Sequence, residues 1–152
     1  MEIGKASTYA LMAMVYIAEH AQTRPMQGRE IAKECDLPFG YLLKILQSLV
    51  RQDILKSQVG RLGGFKLCRL PHDISALQII EAVDGPIAGK AAFHSRSRIS
   101  KHAIAILEMA CQSAATSARE EFGGIKLGDL LEHPSRHGAR VDSKSAAAAL
   151  KS

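Results

Sequence analysis

Apolar positions along the chain fall into a series of helical periods, interrupted once by a short β-prone stretch. Residues 6–21 place Leu11, Met14, Val15 and Ala18 at steps of three and four without Gly or Pro, which predicts a helix with one buried face. Pro25 then disfavours helical geometry in the residue before it and closes the segment. A short second helix is predicted over residues 28–34, with Ile31, Ala32 and Cys35 inward. The sequence CDLPFG reads as a stop followed by a start, because Pro38 is well tolerated in a first helical turn. The third helix, residues 38–52, has the clearest amphipathic pattern. Leu42, Ile45, Leu46 and Leu49 form its apolar stripe, while Phe39, Tyr41, Lys44, Gln47, Ser48 and Arg51 lie mostly off it. Two helices joined by a tight turn, the second with a polar and basic face, make the helix-turn-helix layout, although many small helical proteins share such a pair.

The interruption comes next. Residues 54–59 and 65–70 are two β-prone runs separated by GRLGG, whose glycines supply the positive-φ positions that a hairpin tip needs. Lys56, Ser57, Gln58, Arg61 and Lys66 lie on the arms and tip, and no acidic residue occurs between Ile54 and Leu70. An ordinary surface hairpin would need the same glycines. The position directly after a basic helix and the one-signed charge instead favour a wing, spanning residues 54–69, that lies close to phosphates.

Beyond the wing, Asp73 or Ser75 can cap a helix whose inner face is expected to be Leu77, Ile80 and Val83, with Gly85 and Pro86 ending it. Residues 87–100 read as a loop. From residue 98 to 122 the chain is helical again, with Ile99, Ala103, Ile106, Leu107, Ala110, Ala114 and Ala118 on one side. That spacing suits close packing against a second helix. Its partner is either another copy of the chain or the helix's own domain. Gly123 and Gly124 are expected to break this helix, and KLGDLLEH to add a final turn. The tail, residues 133–152, is low in bulky apolar residues and is expected to be disordered. The fold class is therefore mostly α with a small β-hairpin wing. The expected divisions are a winged helix-turn-helix domain (1–85), an effector or linker loop (86–97), a dimerisation helix with a terminal turn (98–132) and the tail.

Composition adds direction rather than detail. Lys and Arg outnumber Asp and Glu by 20 to 15, for a net charge of +5, which favours polyanionic partners only weakly by itself. Placement matters more, since Lys44, Arg51, Lys56, Arg61, Lys66 and Arg69 crowd the helix-turn-helix and the wing. No run approaches the roughly 18 apolar residues of a membrane span, and MEIGKASTYA has no signal-peptide pattern, so a soluble, cytoplasmic protein with no membrane partner is expected. Cys35, Cys68 and Cys111 are too widely spaced for a metal clip and read as free thiols. No nucleophile elbow, phosphate-binding glycine loop, HExxH or paired carboxylates are present, so the chain is not expected to be an enzyme or to carry a cofactor.

The order of parts resembles one family, the winged-helix regulators of the IscR, NsrR and CymR type, also called the Rrf2 family. The likeness is carried by STYAL, REIA, YLLKILQSL, DILKSQVGRLGGFKL, ISALQIIEAVDGP and LGDLL, and it covers about residues 1–131. The resemblance implies a homodimer joined through the long helix and bound to a palindromic operator in double-stranded DNA. Third helices would enter major grooves, and wings the flanking minor grooves. It makes Phe39, Tyr41, Lys44 and Ser48 base- or phosphate-contacting candidates and Arg51 a phosphate contact. Gln27 and Gly28 would offer the second helix's N-terminus to a phosphate, and Lys56, Ser57, Gln58, Arg61, Gly63 and Gly64 would act from the wing. Tyr41 has an equally good structural reading, its ring filling the turn.

Two departures bear on the DNA sequence read. Leu43 stands where relatives often carry a polar or acidic residue. Val59 stands where they often carry Arg before the first wing glycine, a role Arg61 can take from the tip.

Many members sense iron–sulfur clusters, nitric oxide or redox state through three closely spaced cysteines after the EAVDGP-like helix. Here that loop, IAGKAAFHSRSRISKHA, holds no cysteine, and Thr8 stands where some relatives place an acidic ligand. The resemblance therefore implies a repressor that answers to a protein or small-molecule effector rather than a cluster. Two alternatives stay open: a winged-helix interaction module controlled by binding a metabolic enzyme, and a thiol-based redox sensor through Cys111. His94 and His102 in a basic loop read as solvated side chains rather than metal ligands.

Overall fold

The computed structural model describes residues 2–21, 24–90 and 99–131. Helix α1 (Lys5–His20) runs through the middle and touches α2 (Gly28–Glu34), α3 (Phe39–Arg51), α4 (Ala76–Asp84), α6 (Leu127–Leu131) and the second strand of the hairpin. The hairpin pairs β1 (Leu55–Gln58) with β2 (Gly64–Leu67) antiparallel, and α5 (Lys101–Gly124) lies between α4 and α6 in sequence. Met14, Ile17, Ile31, Leu42, Leu46, Leu49, Ile54, Leu55, Ile74, Ile79 and Leu127 are all fully buried in one core. At about 1.5–3 kcal/mol for each large aliphatic side chain, this cluster is the main source of stability.

The stripe expected on α3 is the stripe observed, and Pro38 is its N-cap. The faces of α1 and α4 differ from expectation. Helix α1 buries Ser7, Ala10, Ala13, Met14, Ile17 and Ala18, whereas Leu11 and Val15 are only half-buried. Small residues let α1 and α4 approach closely, so the most intimate face is not the most hydrophobic one. On α4 the buried residues are Ala76, Ile79 and Ile80, with Leu77 and Val83 half-buried. Leu77 instead reaches Gly123 of α5.

Local chemistry fixes the ends of the elements. Asp36, in the turn between α2 and α3, has φ of 53°, a left-handed conformation that Asp tolerates better than most residues. Of the two capping candidates, Ser75 starts α4 with a capping box. Its Oγ accepts the Gln78 N–H at 3.2 Å, and Gln78 Oε1 accepts the Ser75 N–H at 2.9 Å. Gly85 ends α4 at φ of 83°. Helix α1 has no side-chain cap of its own. Asp84, from the far end of α4, accepts Ser7 Oγ–H at 2.5 Å and sets a carboxylate beside α1's first turn, where the helix dipole favours negative charge.

Helix α5 ends at the expected glycine pair, with Gly124 its last residue. The chain then returns to the domain, where Ala76 N–H donates to the Ile125 carbonyl and Leu127 N–H to that of Ile74. This anchors the C-terminal end of α5. Over all 24 residues of the helix only Ala118 is buried. The tail and His94 lie outside the described residues.

Candidate nucleic-acid interface

Three elements meet on one side of the core. The segment ahead of α2 pairs with the wing: Met26 N–H donates to the Phe65 carbonyl at 2.9 Å and Phe65 N–H to that of Met26 at 2.8 Å. Gly28 sits between the rings of Phe39 and Phe65, whose nearest carbons lie 3.3 and 3.5 Å from the place a Cβ would occupy. Gln27 and Gly28, the start of α3 and the foot of the wing are therefore held as one unit. Gly64 makes this possible. Its φ is 156°, and a side chain there would strike the Met26 carbonyl.

On α3, Tyr41, Lys44, Gln47 and Arg51 are exposed and Ser48 is half-buried, along the face opposite the stripe. Arg51 Nη2 donates to Ser48 Oγ at 2.8 Å, which links the two side chains on this face. The Tyr41 ring meets Tyr9 of α1 edge-on at 5.8 Å yet stays 39% exposed, so packing against α1 does not remove it from the surface. Leu43 is half-buried and so stands partly withdrawn from that face.

In the wing, Leu55 opposes Leu67 and Ser57 opposes Phe65, while Lys56 opposes Lys66 and Gln58 opposes Gly64. Directly opposite residues share a face of the pleat, so two lysines stand side by side. At the tip Gly60 has φ of 116°, and a Cβ on Gly63 would collide with the Gln58 carbonyl. Arg61 is exposed there between Val59 and Leu62, themselves 101% and 86% exposed.

The electrostatics separate occupied cations from available ones. Arg24 forms an ion pair with Glu30 at 2.8 Å, and its guanidinium holds the Glu30 carboxyl below the usual carboxylate range. The only other ion pair among the described residues joins Arg119 to Glu81. Lys44, Arg51, Lys56, Arg61 and Lys66 thus have no carboxylate partner among the described residues. Sequence reasoning missed two further cations. Arg29 lies 4.8 Å from the centre of the Phe39 ring, and Lys5 lies 5.6 Å from that of Tyr9. Through those rings both flank the start of α3. Gln47 was also missed as a site residue, although its step of three from Lys44 marks it in the sequence. Lys5 and Arg29 carry no such local mark, because only the tertiary fold brings them here.

The cysteines do not make an iron–sulfur site. Cys35 caps α2, where burial pushes its thiol up; Cys68 is exposed at the foot of the wing; Cys111 lies within α5. Among the described residues no three His, Cys, Asp or Glu side chains come together as metal ligands, and His102 is an exposed residue of α5. The donor set thus lacks the clustered thiolates that cluster irons need. No helix among the described residues is long and apolar enough to cross a membrane.

Comparison with known proteins agrees with this geometry. The profile of the Rrf2 family, described as iron-dependent transcriptional regulators, matches residues 3–133. An rrf2-like HTH-type transcriptional regulator of Rhodobacter capsulatus is 35% identical over 83 residues, covering 53% of this chain and 55% of that protein. The chain thus spans about half the length of the curated relatives it matches first. The regulator IscR of Aliivibrio salmonicida is 25% identical over 136 residues, covering 86% of this chain and 77% of that one. Among solved structures, CymR, the global cysteine regulator of B. subtilis, superposes with a TM-score of 0.69 at 24% identity, covering 86% of this chain and 96% of that one. The winged-helix fold is shared with these proteins.

Proposed function

The chain belongs to the Rrf2 family of transcriptional regulators, a family of regulators and not of enzymes; from that premise we propose that it is a homodimeric, sequence-specific DNA-binding repressor. The observation that carries the reading is the cationic surface of α3 and the wing, above all Lys56 set directly opposite Lys66. Like charges in a cross-strand pair cost stability, and a polyanion removes that cost. In this reading Tyr41, Lys44, Gln47 and Ser48 face base edges or phosphates in a major groove. Arg51, Arg29 and the α2 start at Gln27 and Gly28 hold the backbone. Lys56, Ser57, Gln58 and Arg61 follow the adjacent minor groove.

Dimerisation is supported by α5, where Ile106, Leu107 and Met109 are 51%, 46% and 66% exposed on a helix that otherwise carries many alanines. A second α5 would cover them, and the dimer would read a palindrome. In this reading the signal is a protein or small-molecule effector; Cys35, Cys68 and Cys111 lie apart and offer no clustered thiolates for an iron–sulfur cluster.

The test is a fluorescence-anisotropy titration of the promoter of the chain's own gene, with scrambled competitor and rising salt. Binding that survives competitor and weakens steeply with salt is expected. Equal affinity for promoter and scrambled DNA would overturn the proposal.

A further inference from the structure

Where the end of α3, the foot of the wing and α4 meet, the surface folds into a cleft of about 310 Å³. This lies at the lower end of the roughly 300–1,000 Å³ typical of ligand pockets, and so suits a small molecule. Ile54, Ala82 and Pro86 supply apolar wall. Gln52 and Gln78 add amides, and Arg69 and Glu81 bring opposite charges to the same cleft.

Those two charges are not joined to each other by an ion pair. Arg69 has one hydrogen bond among the described residues, a long one of 3.5 Å to the Asp73 carbonyl. Glu81 Oε1 accepts from Arg119 of α5 and from the Ile87 N–H, the latter at 3.0 Å, while Oε2 has no protein donor among the described residues. A cleft that keeps a guanidinium and a carboxylate oxygen available, but apart, is complementary to a molecule bearing both opposite charges. A plain anion would meet Glu81, and a plain cation would meet Arg69.

Resting on the regulatory reading above, we propose that this cleft binds a small zwitterion of the α-amino-acid type as effector. Its carboxylate lies on Arg69, its ammonium group on Glu81 Oε2, and its side chain against Ile54 and Ala82. The position also supplies a route for the signal. Arg69 follows the end of β2 by two residues, and Ile54 precedes β1, so one wall belongs to the wing. Glu81 ties α4 to α5 through Arg119 and to the following chain through Ile87. Two residues on, Gly89 is pressed against the α5 backbone at Cys111, where no side chain would fit. An ammonium group on Oε2 shares the Glu81 charge with Arg119 on Oε1, which weakens that ion pair and so shifts the hold of the winged domain on α5.

The experiment is isothermal titration of the full chain with the twenty free α-amino acids, each repeated as its N-acetyl and its amide form. At least one free amino acid is expected to bind, and both blocked forms to bind at least tenfold more weakly. Arg69→Gln, and Ala82→Leu, which fills the cleft without changing charge, should each weaken binding at least tenfold while circular dichroism stays native. The same amino acid should change promoter affinity at least threefold in the parent chain and not in Ala82→Leu. Binding by none of the twenty, equal binding of a blocked form, or undiminished binding in both variants would overturn the site. Specific promoter binding without any amino-acid binding defeats this inference alone. Amino-acid binding without promoter preference defeats its role as a transcriptional effector and leaves the site standing.

Discussion

Helices α3 and α5 are built on opposite terms. In 13 residues α3 buries Leu42, Ile45, Leu46 and Leu49 within its own chain. In 24 residues α5 buries Ala118, and it leaves Ile106, Leu107 and Met109 in contact with solvent. One helix is finished by the fold, so its other face is free to carry chemistry. The other is held by Gly89 against Cys111 in its middle and, nearer its C-terminal end, through Arg119, Gly123 and the return of the chain at Leu127. An amphipathic helix that completes its packing internally can present a polar face to a ligand. One that does not leaves an apolar face for a partner to cover.

Substitutions can break this contrast in a graded way. Leu46→Ala should cost about 2–5 kcal/mol of folding stability, measured by denaturant unfolding, because it empties a fully buried site. Leu107→Ala should cost under about 0.5 kcal/mol in the isolated protomer, as for surface positions generally. Leu107→Glu should leave circular dichroism native while sedimentation shows monomers. A next tier of effect belongs to the joint between wing and α2. Gly64→Ala combines a positive φ with a collision against Met26 and should cost about 1–3 kcal/mol in stability, with a parallel loss of DNA affinity.

Smaller effects sharpen the chemistry of the finished side. Lys44→Ala should weaken promoter binding by about 1–3 kcal/mol if Lys44 reads a base. A uniform loss over all sequences, with a shallower salt slope, would reassign it to a phosphate. Lys56→Ala should act with opposite signs: folding stability rises by about 0.2–1 kcal/mol as the pair with Lys66 is relieved, while DNA affinity and its salt slope fall. The smallest contrast is chemical. Cys35, its thiol pushed up by burial, should be alkylated by iodoacetamide more slowly than exposed Cys68, as read by mass spectrometry.

What is legible in the sequence follows from the range of the forces involved. The α3 stripe, Pro38 at its start and the glycines of the wing are local, and each appears where its residues predict it. On α1, Met14 and Ala18 are buried as their spacing predicts, but Ser7, Ala10 and Ala13 are buried too, for their small size, while the larger Leu11 and Val15 stay half-exposed. On α4, Leu77 was assigned to the core but meets Gly123, since α5 comes back against it. The glycine pair ends α5 where its residues predict, while the packing of Gly123 against Leu77 has no local mark. Arg29 and Lys5 reach the candidate interface through Phe39 and Tyr9, from segments distant in sequence from the wing. The Asp84–Ser7 contact spans 77 positions and has no local signature. Long-range pairings of this kind are the part not legible in the chain.

The claim that α3 and the wing read DNA while α5 pairs two copies is tested most directly by hydroxyl-radical footprinting on the promoter of the chain's own gene. Two protected half-sites related by a dyad are predicted, with centres about 10 base pairs or a multiple of that apart, and Leu107→Glu should abolish them. Protection without a dyad, or a symmetric footprint that persists unchanged in Leu107→Glu, would contradict it.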